Sequence, residues 1–338
     1  MTSEVMGDVG LLLAALVLIL AMAELFTNAL EHMGDRMGLS EGVTGSVFAA
    51  VGTAMPETIV PLYAILAGGA AAEVNEAIGI GAILGAPFML ATVALGLLAL
   101  ATYKSRGWRG DFHPEPTGLR RDLIFFFLAF VPAVGASLLE PGNPLRWAVA
   151  FALPVLYVVY LVQTFAASAQ LVEMGHETEA EHPLMASKLG LGDGNLVTGL
   201  QLLVALGGLL AGAHLFVDGV SGLSGVIGMS PLILSLLIIP IATELPEKVN
   251  SVLWVRRGKD TLAFGNISGA MVFQGSLLPA IGIALTGWQA TTDVLVAAGL
   301  TLAAAAWLFI NQRVLTPVVL LFPLLCYVGF IGYVIADH

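Results

Sequence analysis

Charge is what this chain has least of. Lys and Arg together number 13 and Asp and Glu 24 among 338 residues, so charged residues make up 11%, less than half of what an ordinary soluble domain carries (about 25%). A solvated globular surface cannot be built from so few. Cys326 is the single cysteine, which excludes an intrachain disulfide and a cysteine-based metal site. The net charge of −11 is carried mainly by loops and argues against nucleic acid as a partner. No Asp dyad and no His-Glu zinc motif occurs, so nothing points to an enzyme.

What the chain has is apolar length. Hydrophobic residues make up 58% and the mean hydropathy is +0.92. Runs of about 20 apolar residues, enough to cross the hydrocarbon core, recur at 9–30, 41–66, 76–102, 121–140, 145–168, 196–220, 228–254, 261–286, 289–311 and 314–335. The expected fold is an all-α polytopic membrane protein with ten transmembrane helices. Ala21-Met22-Ala23 resembles a signal cleavage site, but Glu4 and Asp8 precede it with no Lys or Arg, so the first run reads as a retained helix.

Ten spans place the loops alternately on two sides. Arg36, Lys104, Arg106, Arg109, Arg120, Arg121, Lys188, Lys248, Arg256, Arg257, Lys259 and Arg313 share one side, and Arg146 stands on the other. Cytoplasmic loops are the ones enriched in Lys and Arg, so both termini are expected outside, in a prokaryotic inner membrane. The basic loop at 103–122 should lie against anionic membrane lipid. Five helices per half invert the second half. The expected organisation is a first repeat at 1–168, an acidic cytoplasmic linker at 169–195, and a second repeat at 196–338. The linker holds Glu173, His176, Glu177, Glu179, Glu181, His182 and Asp193 and reads as a solvated connection in preference to a cation site.

One motif occurs in both halves, 190 residues apart. The first copy runs from Gly38 to Pro56-Glu57 and the second from Gly228 to Pro246-Glu247. Ala23, Leu25 and Phe26 match Ala213, Leu215 and Phe216 at the same offset. Further on, at an offset of 184, Gly81-Ala-Ile-Leu-Gly85-Ala86 matches Gly265-Asn-Ile-Ser-Gly269-Ala270. Self-similarity at fixed spacing marks a duplication. A carboxylate at membrane depth is costly and by default functional. Two at equivalent positions of inverted repeats point to one site at a pseudo-symmetry axis, as in transporters.

Each proline removes a backbone donor and loosens its turn, so a carboxylate lies beside carbonyl oxygens. Thr53 and Thr243, four residues before the glutamates, add hydroxyls. Glu244, three residues before Glu247, adds a carboxylate on nearly the same face, or else pairs with Lys248 at i+4. Gln274, Asn250 and Ser268 are further candidates, weaker because their reach depends on packing. His214 and Asp218 read as an interfacial pair. Glu24, the repeat equivalent of His214, fits either an interface or the cytoplasmic mouth. Such a hard-oxygen set suits Ca²⁺ over Mg²⁺, with Mn²⁺ also compatible. The metal-site residues are thus Glu57, Glu247, Thr53, Thr243, Glu244 and Gln274, with no resident cofactor.

Gly52-Thr53-Ala54-Met55-Pro56-Glu57, Ala242-Thr243-Glu244-Leu245-Pro246-Glu247 and Gly265-Asn266-Ile267-Ser268-Gly269 resemble the signature blocks of the calcium/cation antiporter superfamily, and the resemblance covers essentially the whole chain. It implies two inverted five-helix repeats, Ca²⁺ bound by Glu57 and Glu247, and a site completed by the third and eighth helices. Ala54, Glu244, Ala86 and Ala270 stand where the family has serine. Ala82 stands for its Asn, and Leu90 and Gln274 for its Asn or Asp. Those family side chains help form Na⁺ sites, so the coupling ion stays open between Na⁺ and H⁺. A channel would use the same carboxylates without countertransport, but duplicated broken helices favour an antiporter.

Overall fold

Prolines and glycines set the ends of the helices. Four helices open on a proline: α4 (Pro116–Ala136), α5 (Pro144–Val172), α7 (Pro231–Arg256) and α10 (Pro317–Asp337). The missing N–H costs nothing in a first turn, and the fixed φ is already helical. Gly107 and Gly228, at φ +73° and +72°, end α3 (Ala72–Arg106) and α6 (Asn195–Ile227) in the left-handed region that suits a glycine C-cap. The remaining helices are α1 (Thr2–Arg36), α2 (Met55–Leu66), α8 (Asp260–Leu285) and α9 (Thr292–Asn311). A five-residue π turn at Leu90–Ala94 sits inside α3, and a 3₁₀ turn spans Met185–Leu189. The structure is a computed structural model that describes residues 2–36, 54–67, 71–172, 183–192 and 194–337.

Among the described residues the chain is all helix, and seven helices are long and apolar enough to cross a membrane. The expected spans that fall short have identifiable causes. Of 41–66, only the part from Ala54 onward lies within the described residues. Helix α4, over the fourth span, carries Arg120, Arg121 and Asp122 near its start, and α7 carries Glu244, Glu247 and Lys248 in its middle, leaving Pro231–Ile241 as its apolar portion.

Packing divides the chain into two compact units that do not follow the sequence halves. The first comprises Met1–Asn75 with Phe165–Gly228. In it α1 lies antiparallel along α6: a Cβ placed on Gly212 would come within 2.7 Å of Ile19, on Gly219 within 2.8 Å of Leu12, and on Gly222 within 2.8 Å of Asp8. Small residues let two membrane helices close to backbone distance. Buried Asn28 and Gln201 fasten the 3₁₀ turn to this pair. Gln201 Nε2 donates to Leu25 O (2.9 Å) and to Asn28 Oδ1 (3.0 Å), while the Met185 and Ala186 amides donate to Asn28 Oδ1 and Gln201 Oε1 (both 2.8 Å).

The second unit comprises Glu76–Thr164 with Met229–His338, and the buried middle of α3 forms its core. Phe88 of α3 stacks on Tyr327 and meets Phe330 of α10 edge-on. Gly81 and Gly85 take α7 at backbone distance, where a Cβ would run into the carbonyl oxygens of Leu232 and Leu236. Phe126 and Phe130 of α4 stack on each other beside Gly275 of α8.

At the basic end of this unit, Arg106 is bidentate to Asp260, with Nη2 at 2.7 Å from Oδ1 and Nη1 at 2.8 Å from Oδ2. Its Nη2 also donates to Val255 O, the His113 amide donates to Asp260 Oδ2, and the guanidinium lies over the Phe112 ring. Glu115 caps α4: burial pushes its carboxyl up, but bonds from Thr117 Oγ1 and the Gly118 and Thr117 amides, with Arg121 nearby, leave it below the usual carboxylate range. Lys104, Arg109 and Arg120 remain exposed. Asp260→Ala strips three donors of their acceptor and leaves a half-buried guanidinium. It should destabilise the protein by about 3 kcal/mol, read as a lowered thermal unfolding midpoint in detergent. A loss under about 1 kcal/mol would mean that water serves Arg106 equally well.

Arg146, the basic residue assigned to the opposite side, is buried and donates to Gly287 O, whose amide donates to Glu76 Oε1 at 2.6 Å. Its charge is therefore committed to packing, as is that of Lys248, assigned to the other side but buried within α7. Beside Gly287, Trp288, at φ +41° and 1% exposed, anchors the loop before α9 through Nε1 to Ala133 O (2.9 Å).

Candidate functional site

In the first unit, α2 begins at the Pro-Glu pair. Ala54 is its N-cap, Pro56 stands in the first turn, and Glu57 follows with its side chain 4% exposed. A carboxylate in a helix's first turn lies at the positive end of the dipole, which lowers the cost of burying it. Pro61, four residues on, has no N–H to give to the Glu57 carbonyl. Thr58 Oγ1 donates to Ala54 O at 2.7 Å. Thr53 and Gly52, expected to add oxygens and loosen the turn, lie outside the described residues.

In the second unit, α7 runs unbroken through Pro240 and Pro246. Here Glu244 is fully buried and held on both oxygens. Lys248 Nζ lies 3.0 Å from Oε2, and Gln274 Nε2 of α8 donates to Oε1. Lys248 and Gln274 are themselves 1% and 3% exposed. The Gln274 Oε1 atom is buried with no hydrogen-bond partner among the described residues. Thr243, also buried, donates its hydroxyl to Ile239 O at 3.1 Å, the back-bond usual for Thr in membrane helices. Its oxygen keeps acceptor capacity. The Glu247 side chain lies outside the described residues.

Of the weaker candidates, Gln274 joins Glu244, whereas Asn250 is exposed and turned away from that cluster. Ser268 goes elsewhere, donating to Asp122 Oδ2 at 2.6 Å, and Tyr160 OH reaches the other Asp122 oxygen at 3.1 Å. Asn266, from the same block, donates to buried Ser251 at 2.9 Å. In the first unit His214 and Asp218 pair at 3.5 Å on an exposed face, and Glu24 is exposed. Among the described residues no three His, Cys, Asp or Glu side chains gather into a metal cluster.

Two buried groups escape a reading from sequence. Asp122 follows Arg120 and Arg121 directly and passes for part of the basic loop, yet it is 5% exposed and links α4, α5 and α8. Asp122→Ala should cost about 2 kcal/mol, because it orphans two buried hydroxyls. Asp122→Asn, which keeps an acceptor, should cost less than half of that in the same melt. Lys248 is legible only as a possible i+4 partner. Its burial makes it a member of the site.

Carboxylates buried beside prolines in the helices of an apolar, polytopic bundle fit a membrane ion exchanger. The chain belongs to the sodium/calcium exchanger protein family, whose model matches residues 8–166 and 198–336. The match breaks across the acidic connection. The inner membrane protein YrbG of Escherichia coli (strain K12) is 28% identical over 266 residues, 78% of this chain and 75% of that one. Among solved structures, the H⁺/Ca²⁺ exchanger CAX shares the fold with a TM-score of 0.68 at 16% identity, covering 97% of this chain and 86% of its own. The sodium-calcium exchanger NCX_Mj shares it with a TM-score of 0.56 at 21% identity, covering 97% and 99%. These two structures are named for different coupling ions, so the fold by itself does not select one.

Proposed function

We propose that the protein exchanges Ca²⁺, or a similar divalent cation, for Na⁺ by alternating access, with Glu57 and Glu247 as the central ligands. The observation that carries this reading is Glu57, a carboxylate buried in the first turn of an apolar helix, in a motif that recurs 190 residues later. Thr53, Thr243 and Gln274 supply further oxygens, while Glu244 adds its carboxylate beside them with both oxygens already engaged by Lys248 and Gln274. Gln274 Oε1, buried without a partner among the described residues, is a neutral oxygen of the kind a hard cation takes.

Each half, 1–168 and 196–338, contributes one motif, and the connection at 169–195 lies on the cytoplasmic side with both termini outside. The antiparallel packing of α1 on α6, helices at equivalent positions of the two halves, supports the inversion. In the cycle, α1 and α6 slide across the site only when its negative charge is neutralised, by the divalent ion or by its counter-cations. A charged empty site resists occlusion because burying unpaired carboxylates is costly. That rule yields exchange without leak.

Proton coupling is the second reading. Ala54, Ala86 and Ala270 bring no side-chain oxygen, and buried Ala86 has an apolar neighbourhood in α3. Radioactive Ca²⁺ uptake into proteoliposomes decides between them. Uptake driven by an outward Na⁺ gradient supports the first reading, and uptake driven only by a pH gradient the second. No uptake with either, in folded protein, sinks the Ca²⁺ assignment and turns the uptake assay to other divalent metals, Mn²⁺ first.

A further inference from the structure

Lys248 carries a buried positive charge that the exchange cycle above leaves unused. Its place in the repeat is informative. At the offset of 190, Glu244 and Lys248 correspond to Ala54 and Thr58, both neutral. The second copy therefore carries a carboxylate and an ammonium together where the first has neither, and the formal charge is −1 over both equivalent stretches: Glu57 alone in 54–58, and Glu244, Glu247 and Lys248 in 244–248. The local contacts run parallel. Thr58 Oγ1 bonds back to Ala54 in the first copy at 2.7 Å, and in the second the same i, i+4 step is an ion pair of 3.0 Å.

A carboxylate as deeply buried as Glu244 needs a positive partner, since breaking such a pair is worth several kcal/mol. In an exchanger that partner comes from solution or from the chain. The Lys248 ammonium is a compact monovalent cation with three donors. It sits against Glu244 Oε2 while Gln274 engages Oε1, so both carboxylate oxygens are taken.

We propose that Lys248 is a resident counter-cation: its ammonium occupies, beside Glu244, a monovalent-cation position of the transport site, and Glu244 is compensated with no ion from solution. The inference rests on the exchange reading and deepens it. The protein exchanges one monovalent cation fewer per divalent ion than its buried carboxylates would otherwise demand, and Lys248 sets that number.

The test uses the full-length protein in detergent, free of Ca²⁺, melted in NaCl and in choline chloride at equal ionic strength. Lys248→Met vacates the position and leaves the Glu244 carboxyl without its ammonium. It should gain a Na⁺-dependent rise in Tm of about 5 °C beyond any the wild type shows, as expected for an ion near saturation. Adding Glu244→Gln to Lys248→Met removes both charges and should abolish the gain. A folded Lys248→Met protein with the wild-type response to Na⁺, or a gain that persists in the double variant, overturns the proposal.

Where Lys248→Met does not yield folded protein, Ca²⁺ affinity decides. Glu244→Gln strands the ammonium at the site and should weaken binding about tenfold or more, and the double variant should recover to within about threefold of wild type. A loss that the double variant does not recover overturns the proposal. Because the melts contain no Ca²⁺, they stand even if wild-type protein fails to bind Ca²⁺, a result that would sink the exchange reading instead.

Discussion

Glu57→Gln should abolish exchange, leaving Ca²⁺ uptake at about 1% of the wild-type rate or less. The side chain is 4% exposed in the first turn of α2, where little water screens it. At the effective dielectric of such a site, one carboxylate charge against a divalent ion contributes about 3 kcal/mol or more, and each 1.4 kcal/mol is about tenfold in binding. Glutamine keeps the shape and loses the charge, so the packing of α2 against α6 should persist. The Ca²⁺-free melt should accordingly match or exceed that of the wild type, because a neutral amide is cheaper to bury. Glu57→Asp, which keeps the charge and shortens the reach, should retain measurable uptake. A Glu57→Gln protein that transports at more than a tenth of the wild-type rate would remove Glu57 from the ligand set.

Helix identity, and the burial of Glu57 at the head of α2, were legible in the residues because both rest on local physics. Apolar length requires a helix in lipid, and a proline in the first turn or a glycine C-cap marks a helix end, although α7 runs unbroken through Pro240 and Pro246. Helix ends were less legible. Hydropathy sees only the apolar run at 9–30, whereas α1 extends over Thr2–Arg36, since a helix continues into water as long as its backbone bonds are satisfied. Tertiary choices were not visible at all. Ser268 and Gln274 both stand on α8, yet one turns to Asp122 and the other to Glu244. Only the placement of α4 and α7 around α8 decides which.

The π turn at Leu90–Ala94 was also hidden. It begins at the repeat equivalent of Gln274, at an offset of 184, but on a leucine packed into the core. Equivalent positions in the two repeats thus diverge in use, with polar chemistry on α8 and backbone irregularity on α3. Burial separates Asn250 from the site as well. It lies three residues beyond Glu247 on the same helix, yet it is exposed. Spacing alone treats it as a neighbour of the site.

Gly85→Val should prevent accumulation of folded protein, whereas Gly265→Ala should be tolerated. Gly81 and Gly85 stand one turn apart on α3, with α7 against them so closely that a Cβ on Gly85 would collide with the Leu236 carbonyl and reach within 2.8 Å of the Pro240 ring. Neither obstacle can rotate away, since one is backbone and the other a closed ring at a fixed φ. Valine adds two methyl groups at that contact and must push α7 outward. Overpacking a core commonly costs about 1–3 kcal/mol where side chains can yield, and a contact between backbones should exceed that range.

Gly265, the repeat equivalent of Gly81, has no atom within 4 Å of where its Cβ would lie among the described residues, so a methyl there meets no obstacle and improves helix propensity. The contrast has a functional side. α7 carries Glu244, Glu247 and Lys248, so the depth at which it seats on α3 sets where those charges stand. Gly85→Ala, the milder wedge, should leave enough protein to measure, with Ca²⁺ uptake reduced more than its melt is lowered. Equal membrane levels of the Gly85→Val and wild-type proteins would show that α3 and α7 do not meet at these glycines.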